Sequence, residues 1–413
     1  MESRHIDRRN FLVRSAAAAA AATLFSGDAC AGDGSSSDTP SAARLIAGKD
    51  PRLIVHGVDP PEIETPLALL RADKITPARL LFVRNNQSLA NSATLQPPSG
   101  QGWNVELSGL LDRPASIGVE QLKQMDQVER ELVLQCSGNG RAAFAQAASV
   151  KGAPWQHGAM GNVVFKGVPL AAVFERLKLK ASPEAQFVAA EGQDTPAKPE
   201  EADFEHSIPL ADALDRSLLA LELNGEPIPS VHGGPVRLVT PGYYATMNVK
   251  WLGRLRFEAR ETDNHHQVHR YRFPRAPIKP GSEFTYGLEN SDANWRMRTK
   301  CVIFSPLEGE QVAGAVEVRG VAFNDGAAEL ESVHVSHNAG RTWQRAELVL
   351  NKSPYGWSHF KTVVKLSPGN AQIAARAVDR LGRTQPLDGQ IHWNPAGYAW
   401  NGVHFVSVRV AEG

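Results

Sequence analysis

One cysteine stands where its side chain could do chemistry. Cys136 follows an apolar run at 132–134 with the composition of a strand, and it precedes a Gly-Asn-Gly turn. Arg141, five residues further on, would favour the thiolate and could attract an anion. These residues alone leave three interpretations open: a small buried hydrophobe, which is the commonest, a nucleophile paired with one of the 13 histidines, or a metal ligand.

Composition limits the classes of protein that this chain can belong to. Its 413 residues, 42% of them hydrophobic, suit two domains with real cores. The 44 basic residues equal the 44 acidic ones, which argues against a nucleic-acid binder because tracking phosphates requires a basic excess. Three cysteines exclude a disulfide framework, and without a Cys-x-x-Cys-His motif we expect no c-type haem in this chain.

The amino terminus has the features of an export signal. Arg8-Arg9-Asn10-Phe11-Leu12 is followed by an alanine-rich apolar run and by a small-residue exit at 29–31. The paired arginines are typical of the twin-arginine route, so we expect residues 1–31 to be removed and the mature protein to be periplasmic. Residues 32–44 are polar and without periodicity, which predicts a disordered linker. No other stretch is apolar and long enough to predict a stable membrane span.

The rest of the chain divides into two regions of different character. Between 45 and 295, predicted strands (80–84, 104–107, 131–135 and 236–239) mix irregularly with predicted helices (119–125, 170–177 and 210–214). This irregular order favours an α+β fold over a doubly wound sheet. From 296 to 413, about six short strands separated by turn signals predict a β-sandwich, with Cys301 in its core.

Several segments in this order resemble the sulfite oxidase family. The family's cysteine turn matches residues 136–141, and its Phe-Val-Arg-Asn stretch matches 82–85. Further matching segments lie at 151–159, 207–210, 224–229, 232–237 and 249–253, and the chain ends with similar tryptophan-asparagine pairs at 393–394 and 400–401. The resemblance implies a molybdopterin-binding catalytic domain at 45–295 and an immunoglobulin-like dimerisation sandwich at 296–413.

The resemblance also implies a chemistry and a set of site residues. It implies a molybdenum ion held by molybdopterin and by the Cys136 thiolate, a soft ligand that suits this metal. Arg84 and Arg141 would bind the sulfite dianion, since a guanidinium can grip an oxyanion with two donors, and Trp155 would form a wall of the pocket. The cofactor-binding residues implied by motif position are Leu81, Phe82, Val83, Arg84, Asn85, Asp194, His232, Arg237, Asn248, Val249 and Lys250.

Three functions are compatible with the sequence. The first is a periplasmic sulfite dehydrogenase that oxidises sulfite to sulfate by oxygen-atom transfer and passes two electrons to an external cytochrome c. The second is the sulfane dehydrogenase subunit of a thiosulfate-oxidising complex, which acts on protein-bound sulfur. The third is a non-catalytic binding protein with the same fold. In each case we expect a homodimer formed through the sandwich.

The sequence departs from the family pattern at three positions around the substrate. Asn86 stands where animal and plant members have a histidine, and Ala396 stands where the animal enzymes have an arginine. An ungapped count puts Asp263 at the place of the active-site tyrosine, with Tyr243, Tyr244 and Tyr271 as possible substitutes. The nearby histidines 265, 266 and 269 are interpreted as a solvated loop or as the rim of the site, because they lack the usual partners of a metal site.

Overall fold

The computed structural model describes residues 40–71, 73–88, 100–196, 198 and 200–412. The predicted export signal at 1–31 and most of the predicted linker lie outside the described residues. The end of the linker prediction is wrong, because Ala42–Leu45 form a short helix, α1. Ala42 is buried there against Leu53, Ile63, Leu80 and Val83, which gives these residues an ordered place in the fold.

The first region is built mainly from short strands. In chain order they are β1 (Ile54–Gly57), β2 (Glu62–Glu64), β3 (Val83–Arg84), β4 (Asn104–Gly109), β5 (Ala115–Gly118), β6 (Val128–Gln135), β7 (Met160–Pro169), β8 (Phe187–Gly192), β9 (Glu205–Pro209), β10 (Leu218–Leu223), β11 (Glu226–Pro227), β12 (Arg237–Val239), β13 (Leu252–Glu258), β14 (Arg272–Pro274) and β15 (Ser291–Ala293).

Helices are few and short in this region. After α1 come α2 (Leu67–Leu70), α3 (Val119–Lys123), α4 (Arg141–Phe144), α5 (Leu170–Leu177), α6 (Leu210–Arg216) and α7 (His265–Val268). Helix α5 buries Leu170, Val173 and Phe174 on one face, as its apolar spacing predicts. None of the helices in the described part of the chain has the length and apolarity needed to cross a membrane.

Two five-stranded sheets carry the first region. One has the order β5-β4-β13-β8-β9. The other has the order β11-β10-β7-β6, with β12 also paired to β10. In the second sheet β6 and β7 are antiparallel, with Val128 opposite Gly167 at one end and Gln135 opposite Met160 at the other. The residue that follows β6 therefore lies beside the start of β7. Strands β1, β2 and β3 form a separate small sheet.

The second region is a sandwich of two sheets, as predicted. Its strands are β16 (Lys300–Ser305), β17 (Gln311–Val312), β18 (Ala315–Phe323), β19 (Leu330–Ser336), β20 (Gln344–Arg345), β21 (Glu347–Val349), β22 (Ser358–Lys365), β23 (Gly369–Asp379) and β24 (His404–Val410). The sheet orders are β16-β18-β22-β21 and β17-β24-β23-β19-β20. Cys301 is fully buried in the core between them, as expected.

The two regions are packed tightly together beside the cysteine turn. Val133 of β6 shares a buried cluster with Val302, Phe323 and Trp357 of the sandwich. The Val133 N–H also donates to the Tyr355 carbonyl at 2.9 Å. Strand β6 is therefore supported from both sides, by β7 on one edge and by the sandwich on the other, and it presents the cysteine turn at a fixed place.

Candidate active site

The cysteine turn is held by backbone and amide hydrogen bonds. The Cys136 N–H donates to the Ala159 carbonyl at 2.9 Å, which continues the β6–β7 ladder by one residue. The Asn139 side chain accepts from the Ala159 N–H at 3.1 Å and donates to Gln135 Oε1 at 3.0 Å. Gly140 has φ +91°, and a Cβ there would lie 2.5 Å from the Trp400 ring, so the turn requires glycine.

Cys136 lines a cavity that is open to solvent. Burial raises the pKa of the Cys136 thiol, while the charge of Arg141, the Gly138 N–H and the charge of Arg84 act in the opposite direction. The Gly138 N–H lies 3.4 Å from the Sγ atom. Burial is the larger effect, so the pKa of the free thiol is raised, and the three opposing groups would support the thiolate that binds a soft metal ion.

Nine of the predicted site residues line this cavity together. They are Phe82, Arg84, Asn85, Cys136, Asp194, His232, Arg237, Asn248 and Lys250. They come from five separate segments of the chain, so the fold brings the motifs into one place. Leu81, Val83 and Val249 are buried beside these segments and do not line the cavity.

Arg141 and Trp155 lie next to the cysteine turn and are not part of the cavity wall. The Arg141 side chain donates to the Ala396 carbonyl at 3.1 Å and to the Ala153 carbonyl at 2.9 Å. Trp155 is fully buried in the apolar cluster that contains Cys136, and its Nε1 has no hydrogen-bond partner. Both residues therefore pack beside the cysteine turn, and the charge of Arg141 acts on Cys136.

Arg84 is a cation that lines the same cavity as Cys136. Its Nε pairs with Glu62 at 3.1 Å, and its Nη2 donates to Asn86 Oδ1 at 3.1 Å. The remaining amino group, Nη1, is buried without a partner. Burial works against the charge of Arg84, but the neighbouring Tyr271, Glu62 and Cys136 groups together hold its pKa above the ordinary value. A cation with one free donor at a cavity is suited to an oxyanion.

Of the three tyrosines named as possible substitutes, Tyr271 is the one that lines the cavity. Asp263 is exposed and does not line the cavity, whereas Tyr271 does, and its hydroxyl donates to Asn86 Oδ1 at 2.9 Å. Tyr243 donates instead to Asp212, and Tyr244 is buried in the cluster between the two regions. Asn86 thus accepts from both Arg84 and Tyr271, which fixes two polar groups at the cavity.

Comparison with known proteins identifies the chain's relatives. Residues 94–266 match the oxidoreductase molybdopterin binding domain, and residues 291–411 match the Mo-co oxidoreductase dimerisation domain. The chain is 30% identical to the sulfite oxidase of Gallus gallus over 380 residues, which cover 88% of this chain and 80% of that protein. The chain belongs to the sulfite oxidase family of molybdenum oxidoreductases.

Other relatives of the sulfite oxidase family agree with this membership. Mitochondrial sulfite oxidase of Homo sapiens is 30% identical over 374 residues, covering 88% of this chain and 67% of that protein. The Drosophila melanogaster enzyme is 30% identical over 365 residues, covering 84% of this chain, and the chain spans 61% of that enzyme's length. The sulfane dehydrogenase SoxCD from Paracoccus pantotrophus shares the fold, with a TM-score of 0.69, 22% identity, and coverage of 93% of this chain and 96% of that chain.

The cavity suits the phosphate-bearing molybdopterin that this family binds. Arg237 and Lys250 line it, and neither forms an ion pair within the described residues. Burial lowers the pKa of Arg237 to about 9 and holds that of Lys250 well below its ordinary value. Buried cations without a counter-ion are costly, so an anionic ligand would stabilise both. The unpartnered donors Asn85 Nδ2 and Trp251 Nε1 offer further contacts for a polar ring system.

Sequence reasoning missed several wall residues of this family member. Besides Asn86 and Tyr271, the wall contains Leu134, Phe204, Ala245, Thr246 and Trp251. Trp251 belongs to the matched segment at 249–253 and could have been included, whereas Phe204 lies in a segment without a motif. Trp251 and Tyr271 have φ of +48° and +50°, and strained backbone of this kind at non-glycine residues is concentrated at functional sites.

Proposed function

We propose that this protein is a sulfite dehydrogenase that oxidises sulfite to sulfate and passes the electrons to an external cytochrome c. Sulfite and water become sulfate, two protons and two electrons. The observation that carries the proposal is the free, buried Nη1 of Arg84 at the cavity that Cys136 faces. A positive group with an unused donor beside a thiolate ligand is what a small dianion requires.

The molybdenum cofactor, when bound, supplies oxygen-atom transfer and a store for two electrons. The chain's own residues do the rest. Cys136 would hold the metal, and Arg237, Lys250 and His232 would hold the phosphate-bearing end of the pterin. Arg84 would bind sulfite, with Asn86 and Tyr271 keeping the guanidinium in place. Phe204 and Trp251 give the cavity an apolar wall that limits the access of water.

A sulfane dehydrogenase is the second candidate. Much of the cavity wall is apolar, with Phe82, Leu134, Phe204 and Trp251 among its residues. A sulfane sulfur carried on a protein has less charge than free sulfite and would suit such a wall better. Parallel assays with sulfite and with a protein-bound sulfane substrate distinguish the two. If only the second substrate reduces an artificial acceptor, the first proposal is wrong.

Export to the periplasm is proposed from the amino-terminal sequence. Arg8 and Arg9 are the residues that the twin-arginine route would recognise. Changing both to lysine keeps the charge and should leave the protein in the cytoplasm with its signal attached. Cell fractionation followed by mass measurement of the mature chain would check this, and unchanged periplasmic recovery would contradict it.

A homodimer through the sandwich is supported by the match to the dimerisation domain. Val349, Leu350 and Val363 belong to or follow neighbouring strands of the four-stranded sheet and are 59%, 43% and 57% exposed. A contiguous patch of exposed apolar side chains is typical of an interface, and these residues are the candidates for one on this sheet. Analytical ultracentrifugation of the wild type and of Val363→Glu should show a dimer and a shift towards monomer.

Two measurements on one preparation test the main proposal. The protein is produced in cells that make molybdopterin, and its molybdenum content is determined. Cytochrome c reduction is then followed with and without sulfite. One molybdenum per chain with sulfite-dependent reduction supports the proposal. Full molybdenum without reduction of any acceptor by sulfite would overturn it, and an absence of molybdenum would favour a non-catalytic binding protein.

A further inference from the structure

A buried lysine from outside the matched catalytic segment reaches the cavity wall. Lys49 is 5% exposed, and its ammonium nitrogen lies 2.7 Å from the Ala78 carbonyl oxygen and 2.6 Å from that of Leu81. Its third contact is the Nε2 atom of His232, at 2.7 Å. His232 lines the cavity, so Lys49 touches the site through one intermediate side chain.

Lys49 connects parts of the chain that are far apart in sequence. Lys49 follows helix α1. Its side chain contacts both the segment that precedes the cavity residues 82–85 and the turn at 230–232. Lys250 holds the same turn from its other side, donating to the Val231 carbonyl at 2.7 Å and to the Arg84 carbonyl at 3.2 Å. Two lysines therefore hold the turn that carries His232. Lys250 was expected at the site from its motif, and Lys49 was not.

The chemistry of the contact determines where the histidine keeps its proton. An ammonium group has three N–H donors and no acceptor. In the charged form of Lys49, two of these donors go to the carbonyls of Ala78 and Leu81, and the third points to Nε2, which then accepts. The neutral ring carries its proton on Nδ1 in this case, since a neutral imidazole has one donor nitrogen and one acceptor. The Ala78 carbonyl also lies near the ring and is the acceptor for a ring N–H in the opposite tautomer. With Nε2 held by Lys49, Nδ1 is the ring nitrogen left for a ligand of the cavity, and in the opposite tautomer it would carry a lone pair instead of a proton.

We propose that Lys49 is a positioning residue that fixes the Nδ1–H tautomer of His232 and so gives this wall of the cavity a hydrogen-bond donor for an anionic ligand. The proposal rests on the function above in one respect: the anion is taken to be the phosphate-bearing cofactor. Burial lowers the pKa of Lys49 to about 7, so an anion in the cavity would also strengthen the charged form that the contact requires.

A purely structural role for Lys49 makes a different prediction. In that case the lysine only satisfies two carbonyls, and its loss would lower stability without changing the ring of His232. Lys300 provides a matched control, because it is 2% exposed, burial likewise lowers its pKa to about 7, and its ammonium donates to the Trp400 carbonyl at 3.2 Å. Lys300 is not a wall residue of the cavity.

The first test observes the ring in the wild-type holoprotein. Long-range proton–nitrogen NMR of protein labelled with ¹⁵N-histidine distinguishes the tautomers, and the missing signals of His232→Gln assign His232. At pH 6 we expect Nδ1–H in the wild type and in Lys300→Met. In Lys49→Met the vacated carbonyls can accept from Nε2, so we expect a change towards Nε2–H. An Nε2–H ring in the wild type overturns the proposal, whether or not the variant folds.

The second test follows retention of the cofactor. Released pterin is measured by fluorescence over time after gel filtration of the loaded protein. Lys49→Met should release it on the order of tenfold faster than the wild type, as is usual when a group that orients a ligand is removed, and Lys300→Met should not. Equal release by Lys49→Met and the wild type overturns the proposal. A wild type without molybdopterin would instead refute the proposed function, while the tautomer measurement still decides the role of Lys49.

Discussion

The cavity and the seam between the two regions both bury basic side chains, but they do so in different ways. The basic side chains of the seam are His157, Lys300 and His404, and the centroids of the two histidine rings lie 4.3 Å apart. Burial lowers the pKa of Lys300 to about 7 and that of His404 to about 3, and the His404 Nδ1 accepts from the Ile303 N–H at 3.0 Å. Neutral groups suit this packed environment.

At the cavity, by contrast, Arg84, Arg237 and Lys250 line the wall, and the donors Arg84 Nη1, Asn85 Nδ2 and Trp251 Nε1 have no partner among the described residues. Arg84 is already paired with Glu62, whereas Arg237 donates only to carbonyl oxygens within the described residues. An arginine cannot easily give up its proton, so Arg237 in particular favours a bound anion. The comparison shows that burial of a basic group does not by itself indicate function. A buried cation at an open cavity indicates a ligand, whereas a buried base in a packed seam indicates structure.

The largest expected effect is the loss of activity on substitution of Cys136, and the buried cysteine of the other region, Cys301, provides the control. Cys136→Ser should abolish turnover with sulfite while keeping the fold and the pterin, because a hydroxyl is a poor substitute for a thiolate at this metal. Cys301→Ala removes an equally buried thiol from the sandwich core and should keep full activity. Turnover, pterin content and circular dichroism check this. Full activity in Cys136→Ser would contradict the ligand assignment.

Arg84 provides the next largest effect. Arg84→Met should raise the KM for sulfite on the order of ten- to a hundredfold, since a charge-assisted hydrogen bond contributes about 1.5–3 kcal/mol. Arg319→Met, at an exposed arginine of the sandwich, is the control and should leave the KM unchanged. Steady-state kinetics over a range of sulfite concentrations measure both. An unchanged KM in Arg84→Met would show that sulfite binds elsewhere.

A smaller effect is expected from the tyrosine at the cavity. Tyr271→Phe loses one hydrogen bond to Asn86, a loss of about 0.5–1.5 kcal/mol, so kcat/KM for sulfite should fall by up to roughly tenfold. Tyr243→Phe removes a hydroxyl that donates to Asp212, away from the cavity, and should leave kcat/KM unchanged. The assignment of Tyr271 to the site fails if the two variants have equal kcat/KM.

The buried His404 of the seam should make the free energy of unfolding depend on pH. The folded pKa of His404, about 3, lies below the ordinary 6.5, so the folded state disfavours the proton. This contribution is complete above pH 6.5 and is lost as the pH falls towards 3, amounting to about 2 kcal/mol by pH 5. His404→Gln keeps an acceptor for Ile303 and cannot be protonated, so its free energy of unfolding should fall less between pH 7 and 5. Urea unfolding at both pH values measures this, and parallel losses in the two proteins would contradict it.

Much of the fold was predictable because local patterns agree with the tertiary structure. The helix predicted at 170–177 is confirmed as Leu170–Leu177, and the strand at 131–135 is confirmed within Val128–Gln135. The predicted strand at 80–84 is largely wrong, since only Val83–Arg84 form it. The Leu80 and Leu81 N–H groups both donate to the Pro77 carbonyl, so a turn occupies the start of this apolar run.

The site was predictable where its residues belong to motifs. Cys136, Arg84 and Lys250 line one cavity, as the segments that resemble the family predicted, while their roles stay predictions. Phe204 and Lys49 reach the site from segments without a motif, and their position depends on tertiary packing. Tyr271 was named only as a possible substitute. The helix at His265–Val268 lies between Lys250 and Tyr271, so counting residues from Lys250 without knowing this helix does not lead to Tyr271.

The most direct test of the account is sulfite-dependent reduction of cytochrome c by protein of known molybdenum content. The wild type should contain one molybdenum per chain and reduce cytochrome c only when sulfite is added. Cys136→Ser, measured beside it, should retain pterin and fail to respond. If sulfite-dependent reduction is equal in the two proteins, or if the fully loaded wild type does not respond to sulfite, the central claim is contradicted.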